Sequence, residues 1–245
     1  NMEDLKSIKN IDLVFHLAAK TFIPDSWKDP VSTYKINSLG TLNILEFCRN
    51  NKAKLVFSST YVYGKPKYLP IDEKHPISST SPYTESKIIA ERLCKFYKRN
   101  FDLDVKILRP FNIYGLGQNP NFLLPKIIEQ AFAGSIVLEN SKPKRDFVHL
   151  EDIIQAYVKA GSINTNNESI IFNIGSGKSF SVNQVVNKIV KIIGKDVEIK
   201  YTGNIRKGEI EETIADIKLA NNILNWTPRI DLDLGLRKYI DNYRK

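Results

Sequence analysis

The chain has 245 residues, 42% hydrophobic and 26% charged, with a formal charge of +9, enough for one substantial core or a core and a smaller lobe. No run approaches eighteen apolar residues, the first residues carry neither an apolar signal core nor a cleavage site, and two cysteines cannot build a disulfide framework. These features argue against a membrane span and a disulfide scaffold, and a reducing cytoplasm is the expected setting.

The first element in chain order is Ile11 to Ala19, a nearly continuous apolar run that suits a strand buried on both faces of a parallel sheet. Helical periodicity follows over Val31 to Asn50, then a strand at Leu55 to Ser58, a helix over Pro82 to Asn100 and a strand at Val105 to Leu108. Gly115, Gly117 and Pro120 mark a loop, Leu123 to Ala133 reads as an amphipathic helix, and Ile170 to Ile174 as a further strand. The β-α-β-α-β order predicts an α/β fold with a doubly wound parallel sheet, and the shorter mixed elements beyond Gly175 predict a small α+β lobe. Only about ten residues precede the first strand, too few for another βα unit, and a bare apolar edge invites aggregation. A further amino-terminal part of the working protein is therefore expected.

Lysines such as Lys188, Lys191 and Lys195 are spread along helical patterns without a basic run or interleaved aromatics. The positive charge is thus expected to serve solvated helix faces and an anionic small molecule, with no nucleic-acid partner. His16, His75 and His149 lack metal-ligand spacing, so no metal is expected and each histidine is given a structural role.

Tyr83 and Lys87 in P-Y-T-E-S-K lie four residues apart, on one face of a helix. A phenol must lose roughly 3 pKa units, about 4 kcal/mol, to act as a base at neutral pH. One ammonium at about 4 Å in an effective dielectric of 20 supplies about that much. The expectation is a tyrosine base activated by Lys87, with the S-S-T run at Ser58 to Thr60 upstream of it.

Eight motifs in order carry a resemblance over essentially the whole chain. They are F-H-L-A-A from Phe15, I-N-S-L-G-T-L-N from Ile36, F-S-S-T-Y-V-Y-G from Phe57, P-Y-T-E-S-K from Pro82, R-P-F-N-I-Y-G from Arg109, R-D-F-V-H from Arg145, N-I-G-S-G from Asn173, and Ala215-Asp216 with L-N-W-T-P. The sequence resembles the extended short-chain dehydrogenase/reductase superfamily, in particular its NAD-dependent nucleotide-sugar epimerases and dehydratases. The family's GxxGxxG loop and the residue choosing between NAD and NADP have no match here. The resemblance implies a Rossmann domain at 1–115 and about 145–175, lacking its first part, and a nucleotide-sugar lobe at about 116–144 and 176–245.

It also implies roles for single residues. Ser59, five positions before Gly64, matches the catalytic hydroxyl, with Thr60 in reserve; Tyr83 is the acid/base, and Lys87 holds the nicotinamide ribose and lowers the Tyr83 pKa. Ala18, Ala19 and Lys20 match the backbone that approaches the cofactor, Asn37 supports it, and Ser58 and Phe111 join the cofactor site. Thr60, Asn112 and Leu123 match substrate contacts, Arg145 and Arg206 suit a diphosphate, and Thr213 leaves room beside the sugar. Alanines at a tight crossing, a plain loop Asn112 and a core Leu123 are the structural alternatives.

Dehydratases of this family follow the catalytic hydroxyl with Asp-Glu, where this chain has Thr60 and Tyr61, and the related decarboxylases place Glu at the Tyr61 position. Epimerisation of a nucleoside-diphosphate sugar at C4 is therefore the expected activity, with NAD as cofactor and UDP as nucleotide. An NADPH-dependent keto-sugar reductase and a sugar-nucleotide-binding fragment without turnover stand as alternatives. A homodimer through the helices at 31–50 and 82–100, with Leu42, Leu45 and Phe47 in the seam, is also expected from the resemblance.

Overall fold

The computed structural model describes residues 5, 7–163, 171–205 and 208–243. Its main sheet is parallel, in the order β1 (Leu13–His16), β2 (Lys54–Ser58), β3 (Val105–Pro110) and β8 (Ile171–Ile174). The strands β2 and β3 read as apolar runs because helices cover both of their faces. On one face Leu55 and Phe57 of β2 pack with Leu45 and Cys48 of helix α3 (Gly40–Asn51) and with Ala90, Cys94 and Tyr97 of helix α4 (Pro82–Phe101). On the other, Val56 and Leu108 meet Ile153, Ala156, Tyr157 and Ala160 of helix α6 (Leu150–Ser162). Alternation along the strand dictates this division, and it decides where the polar residues beyond Phe57 point.

The first strand is shorter than the apolar run predicts. β1 ends at His16 because the chain leaves the sheet there and is held by Asn37, whose Oδ1 accepts from the Lys20 N–H at 2.8 Å and whose Nδ2 donates to the Lys20 carbonyl at 3.0 Å. A short helix, α1 (Ile23–Lys28), was not legible as periodicity, since six residues span under two turns. Asp29 then caps α2 (Pro30–Tyr34) by accepting from Ser32 N at 3.0 Å.

What reads as one helix from Val31 to Asn50 is interrupted by a π segment, Lys35–Leu39, between α2 and α3. The wider turn buries Asn37 and Ser38, which bond to Ser86 of α4: Asn37 Nδ2 to Ser86 Oγ at 2.9 Å and Ser38 Oγ to the Ser86 carbonyl at 2.9 Å. Helix α4 starts where expected because Ser81 caps it, accepting from Thr84 N at 3.1 Å, with Pro82 at its first position.

Beyond the main sheet the strands form short pairs. β4 (Asn112–Tyr114) pairs with β7 (Phe147–His149), β5 (Ser135–Leu138) with β10 (Glu198–Tyr201), and β6 (Lys144–Arg145) with β9 (Phe180–Ser181). Their core is shared with α5 (Leu123–Phe132), α7 (Val182–Ile193) and α9 (Leu232–Tyr243), through residues such as Ile127, Val185, Ile189 and Leu236. Helix α8 (Lys218–Leu224) instead returns to the main sheet, where Ala220, Leu224 and Trp226 pack with Phe172. Gly175, just past β8, is required by close approach, since a Cβ there would lie 2.6 Å from Ala215 Cβ and 2.7 Å from Asp146 Oδ2.

Candidate active site

The carboxyl ends of β2 and β3 and the first turns of α4 bring the candidate residues together. On α4, Tyr83, Lys87 and Glu91 follow at four-residue steps and form one buried polar stripe, 9%, 2% and 1% exposed. Each meets a different partner from the sheet. The Lys87 ammonium lies over the Phe57 ring, its Nζ 4.3 Å from the centroid. Glu91 takes two bonds from Arg109 of β3, Nε to Oε1 at 2.8 Å and Nη2 to Oε2 at 2.5 Å. Burial raises the Tyr83 phenol, and Thr60 acts in the opposite direction on it.

Three successive hydroxyls at the end of β2 have three destinations. Ser58 continues the α6 face and accepts from Tyr157 at 2.5 Å. Ser59 faces α4 and donates to Glu91 Oε1 at 2.6 Å. Thr60, half-buried, lies on the Tyr83 side. The hydroxyl matched to the catalytic position is thus turned toward the Glu91–Arg109 pair.

Burial dominates the electrostatics of the Tyr83–Lys87 pair. Mutual ion pairing would move the phenol down and the ammonium up, whereas burial raises Tyr83 and lowers Lys87 to about 8. Desolvation is the largest influence at both groups. His16, buried and close enough to Lys87 to feel its charge, is held down at about 4, mainly by desolvation, and its Nε2 lies 3.0 Å from Thr41 Oγ1.

The fit to a dinucleotide rests on the donor set. An ammonium has three donors and no acceptor, and a π face uses none of them as a hydrogen bond to oxygen would. Buried at the carboxyl end of a parallel sheet, Lys87 suits the paired hydroxyls of a ribose. Beside it, Ala18, Ala19 and Lys20 leave β1 as a backbone fixed by Asn37.

The match to known proteins is broad. The family model described as GDP-mannose 4,6 dehydratase matches residues 1–239. A putative UDP-glucose 4-epimerase of Methanocaldococcus jannaschii is 36% identical over 98% of this chain and 80% of its own length. The crystal structure of UDP-glucose 4-epimerase with UDP-glucose from Thermotoga maritima superposes with a TM-score of 0.91 at 30% identity, over 99% of this chain and 80% of that one. UDP-glucuronic acid 4-epimerase from Bacillus cereus, in complex with UDP-glucuronic acid and NAD, gives 0.88 at 30% identity, over 99% and 77%. The chain belongs to the nucleotide-sugar epimerase and dehydratase family of extended short-chain dehydrogenases/reductases.

For a member of this family the remaining residues fall unevenly. Phe111 is buried, edge-on to Tyr61 with ring centroids 5.4 Å apart. Asn112 donates its Nδ2 to the Asp146 carbonyl at 3.0 Å, so its amide first serves the β4–β7 junction. Arg145 Nη1 donates to the Lys144 and Ile210 carbonyls at 2.8 and 2.7 Å, and its charge reaches Tyr61. Leu123 packs against the lobe core, as its structural alternative holds. Thr213 is also buried, with its Oγ1 3.5 Å from Asp146 N, and forms part of the wall that Asp146 organises rather than open space. Arg206 lies outside the described residues. Leu45 and Phe47, expected in a dimer seam, are 0% and 7% exposed and fill the core beneath α3.

Reading the sequence missed Glu91, Arg109, Tyr63 and Tyr157. From Ser59 a buried chain runs through Glu91 and Arg109 to Tyr63, which takes Arg109 Nη1 at 2.9 Å and donates to Asn173 Oδ1 at 2.5 Å. Glu91 was legible in principle, since it extends the Tyr83–Lys87 stripe by one more step of four. Nothing local marks Tyr157, which α6 delivers from 99 residues away. The other two histidines bond close by in sequence: the His75 Nδ1 lies 2.9 Å from the Pro76 carbonyl and the His149 ring accepts from Glu151 N at 3.2 Å at the start of α6.

Proposed function

We propose that this protein epimerises a nucleoside-diphosphate sugar at C4 through a 4-keto intermediate, with NAD as cofactor and UDP as the nucleotide. The observation that carries the reading is Tyr83, buried at the first turn of α4 and one turn from the buried Lys87. NAD supplies a place for the sugar's hydride to go and from which it returns.

The chain's own residues do the rest. Tyr83 takes the proton of the reacting hydroxyl and gives it back to the other face. Lys87, with a pKa near 8 and a charge buried at the strand ends, orients the ribose and favours negative charge nearby. Phe111 and Asn112 close the floor, Ser58 and Asn37 support the cofactor side, and Arg145 serves the diphosphate, a role that Arg206 shares by resemblance alone. That lobe, at about 116–144 and 176–245, forms the sugar-nucleotide side and residues 1–115 with about 145–175 the cofactor side.

Dehydration is not the reading, although the matching family model carries a dehydratase description. The Tyr61 phenol donates to the Gly64 carbonyl at 2.6 Å and burial pushes its pKa up, so it offers neither an acid nor a base at the position of the dehydratase Glu.

A homodimer is part of the proposal. Val31, Ile36 and Leu39, along with Phe96 and Phe101 of α4, are exposed apolar residues on the two helical segments that pair in relatives by resemblance. Among the described residues no helix is long and apolar enough to cross a membrane, which accords with a cytoplasmic enzyme.

The test is Tyr83→Phe in the complete polypeptide, assayed by chromatography on UDP-glucose, UDP-N-acetylglucosamine and UDP-glucuronic acid. Interconversion with the 4-epimer should fall by at least about a thousandfold while calorimetric UDP-sugar binding stays within a few-fold. Undiminished turnover in the phenylalanine variant would remove the proposal.

A further inference from the structure

We propose that Asp146 is a positioning residue for the diphosphate of the sugar nucleotide: its buried carboxylate fastens segment 210–216 beside Arg145 and so sets the direction of that guanidinium. The inference rests on the epimerase reading, in which Arg145 serves the diphosphate, and adds a residue to it. Asp146 is 0% exposed. Its Oδ1 accepts from the Ser176 N–H at 2.6 Å and the Ser176 hydroxyl at 2.7 Å, and its Oδ2 from the N–H groups of Gly177 and Ala215, each at 3.0 Å. Three of these donors are backbone N–H groups, which cannot accept a carboxyl proton, so the site calls for the acceptor-only, ionised form. Burial pushes the carboxyl pKa up, and the donors act against that.

These bonds converge on the wall that carries the candidate substrate contacts. Segment 210–216 runs alongside Lys144, Arg145 and Asp146. The Ile210 carbonyl accepts from Arg145 Nη1 at 2.7 Å, the Glu211 carbonyl accepts from Lys144 N at 2.8 Å, and Thr213 N donates to the Lys144 carbonyl at 3.1 Å. The Ala215 N–H on the Asp146 carboxylate closes this series. On its other side the segment is held by Ile71, whose N–H donates to the Ile214 carbonyl and whose carbonyl accepts from Asp216 N, both at 2.8 Å. The Asp146 carbonyl in turn takes the N–H and the Nδ2 of Asn112, each at 3.0 Å. One residue thus joins Asn112, Thr213 and the carbonyl on which Arg145 rests. Because the guanidinium is a planar, rigid fork, anchoring one of its nitrogens on Ile210 sets the direction of the whole group. If the carboxylate is lost, segment 210–216 loses its last tie to β6 and the loop at 176–177 loses its anchor, so the Ile210 carbonyl is free to shift and the fork with it.

The experiment is a double-mutant cycle in the complete polypeptide, with Asp146→Ala, Arg145→Met and the double variant. It is read by calorimetric binding of UDP and by KM and kcat on the UDP-sugar that the wild type turns over best. Each single variant should weaken UDP binding and raise KM by at least about tenfold, with a smaller fall in kcat. Added to Arg145→Met, Asp146→Ala should change both by less than about twofold, since no guanidinium is left to aim. A folding role alone would instead multiply the two losses.

Full multiplication of the losses, or UDP binding that is undetectable in the wild type or unchanged in either single variant, would overturn the assignment. If Asp146→Ala does not fold, Asp146→Asn, which keeps one acceptor oxygen, replaces it in the same cycle, with an expected loss of about threefold that again vanishes beside Arg145→Met. A wild type that binds UDP and turns over no nucleotide sugar would strike the epimerase reading alone, because the binding cycle still decides the role of Asp146.

Discussion

Lys87 and Phe57 stand face to face, the ammonium 4.3 Å from the ring centroid, so that a positive charge is buried against a π surface one helical turn from the candidate base. A cation–π contact of this kind offsets only part of the cost of taking the ammonium from water. The remainder is expressed as a pKa lowered to about 8.

That shift makes stability depend on alkaline pH. The unfolded chain keeps the lysine proton up to its ordinary value of 10.5, while the folded chain releases it near 8. Between those values the unfolded state binds more protons, so stability rises with pH, by up to about 3 kcal/mol across the window. Lys87→Met should be more stable than wild type at pH 7 and should lack this rise. Denaturant titrations from pH 7.5 to 10.5 check it, and parallel curves for the two proteins would contradict it.

His16 acts in the acid range. Its folded pKa of about 4, against an ordinary 6.5, means that the unfolded chain takes up a proton first as pH falls. Stability present above about 6.5 is therefore lost progressively down to about 4, by roughly 3 kcal/mol at most. Replacing His16 with Asn should flatten that part of the urea midpoint against pH, whatever it does to stability at pH 7.

The Glu91–Arg109 pair is fully enclosed, so breaking it should cost more than removing it. Glu91→Leu or Arg109→Met alone leaves an uncompensated buried charge and should destabilise by about 3–5 kcal/mol. The double variant should be more stable than the sum of the two losses predicts, by 1 kcal/mol or more on the order of known coupled pairs. Additive losses in equilibrium unfolding would show that the two charges do not depend on each other.

Leu39 and Phe96 are exposed on neighbouring helical segments. Sedimentation at micromolar concentration should give a species of about twice the polypeptide mass for the wild type, and Leu39→Glu or Phe96→Glu should shift it to the single-chain mass with the circular dichroism spectrum unchanged. A wild type that sediments as a single chain would end the homodimer proposal.

The sequence by itself determined the sheet and the helix that carries the site. Strands Leu55 to Ser58 and Val105 to Leu108 are apolar runs because both faces are covered, and helix 82–101 announces its start by Ser81 and Pro82 and its buried face by periodicity. Those signals are local, since each depends on what a residue and its near neighbours prefer. Chemistry was legible only as far as Tyr83, Lys87 and the hydroxyl run, which identify residue types without saying which group meets which. Tertiary structure made that decision. It turned Ser59 toward Glu91, aimed Lys87 at Phe57 and brought Tyr157 to Ser58. The physical reason is that pairing and desolvation depend on distances across the sheet, between segments up to 99 residues apart, and no pattern within a single segment encodes them.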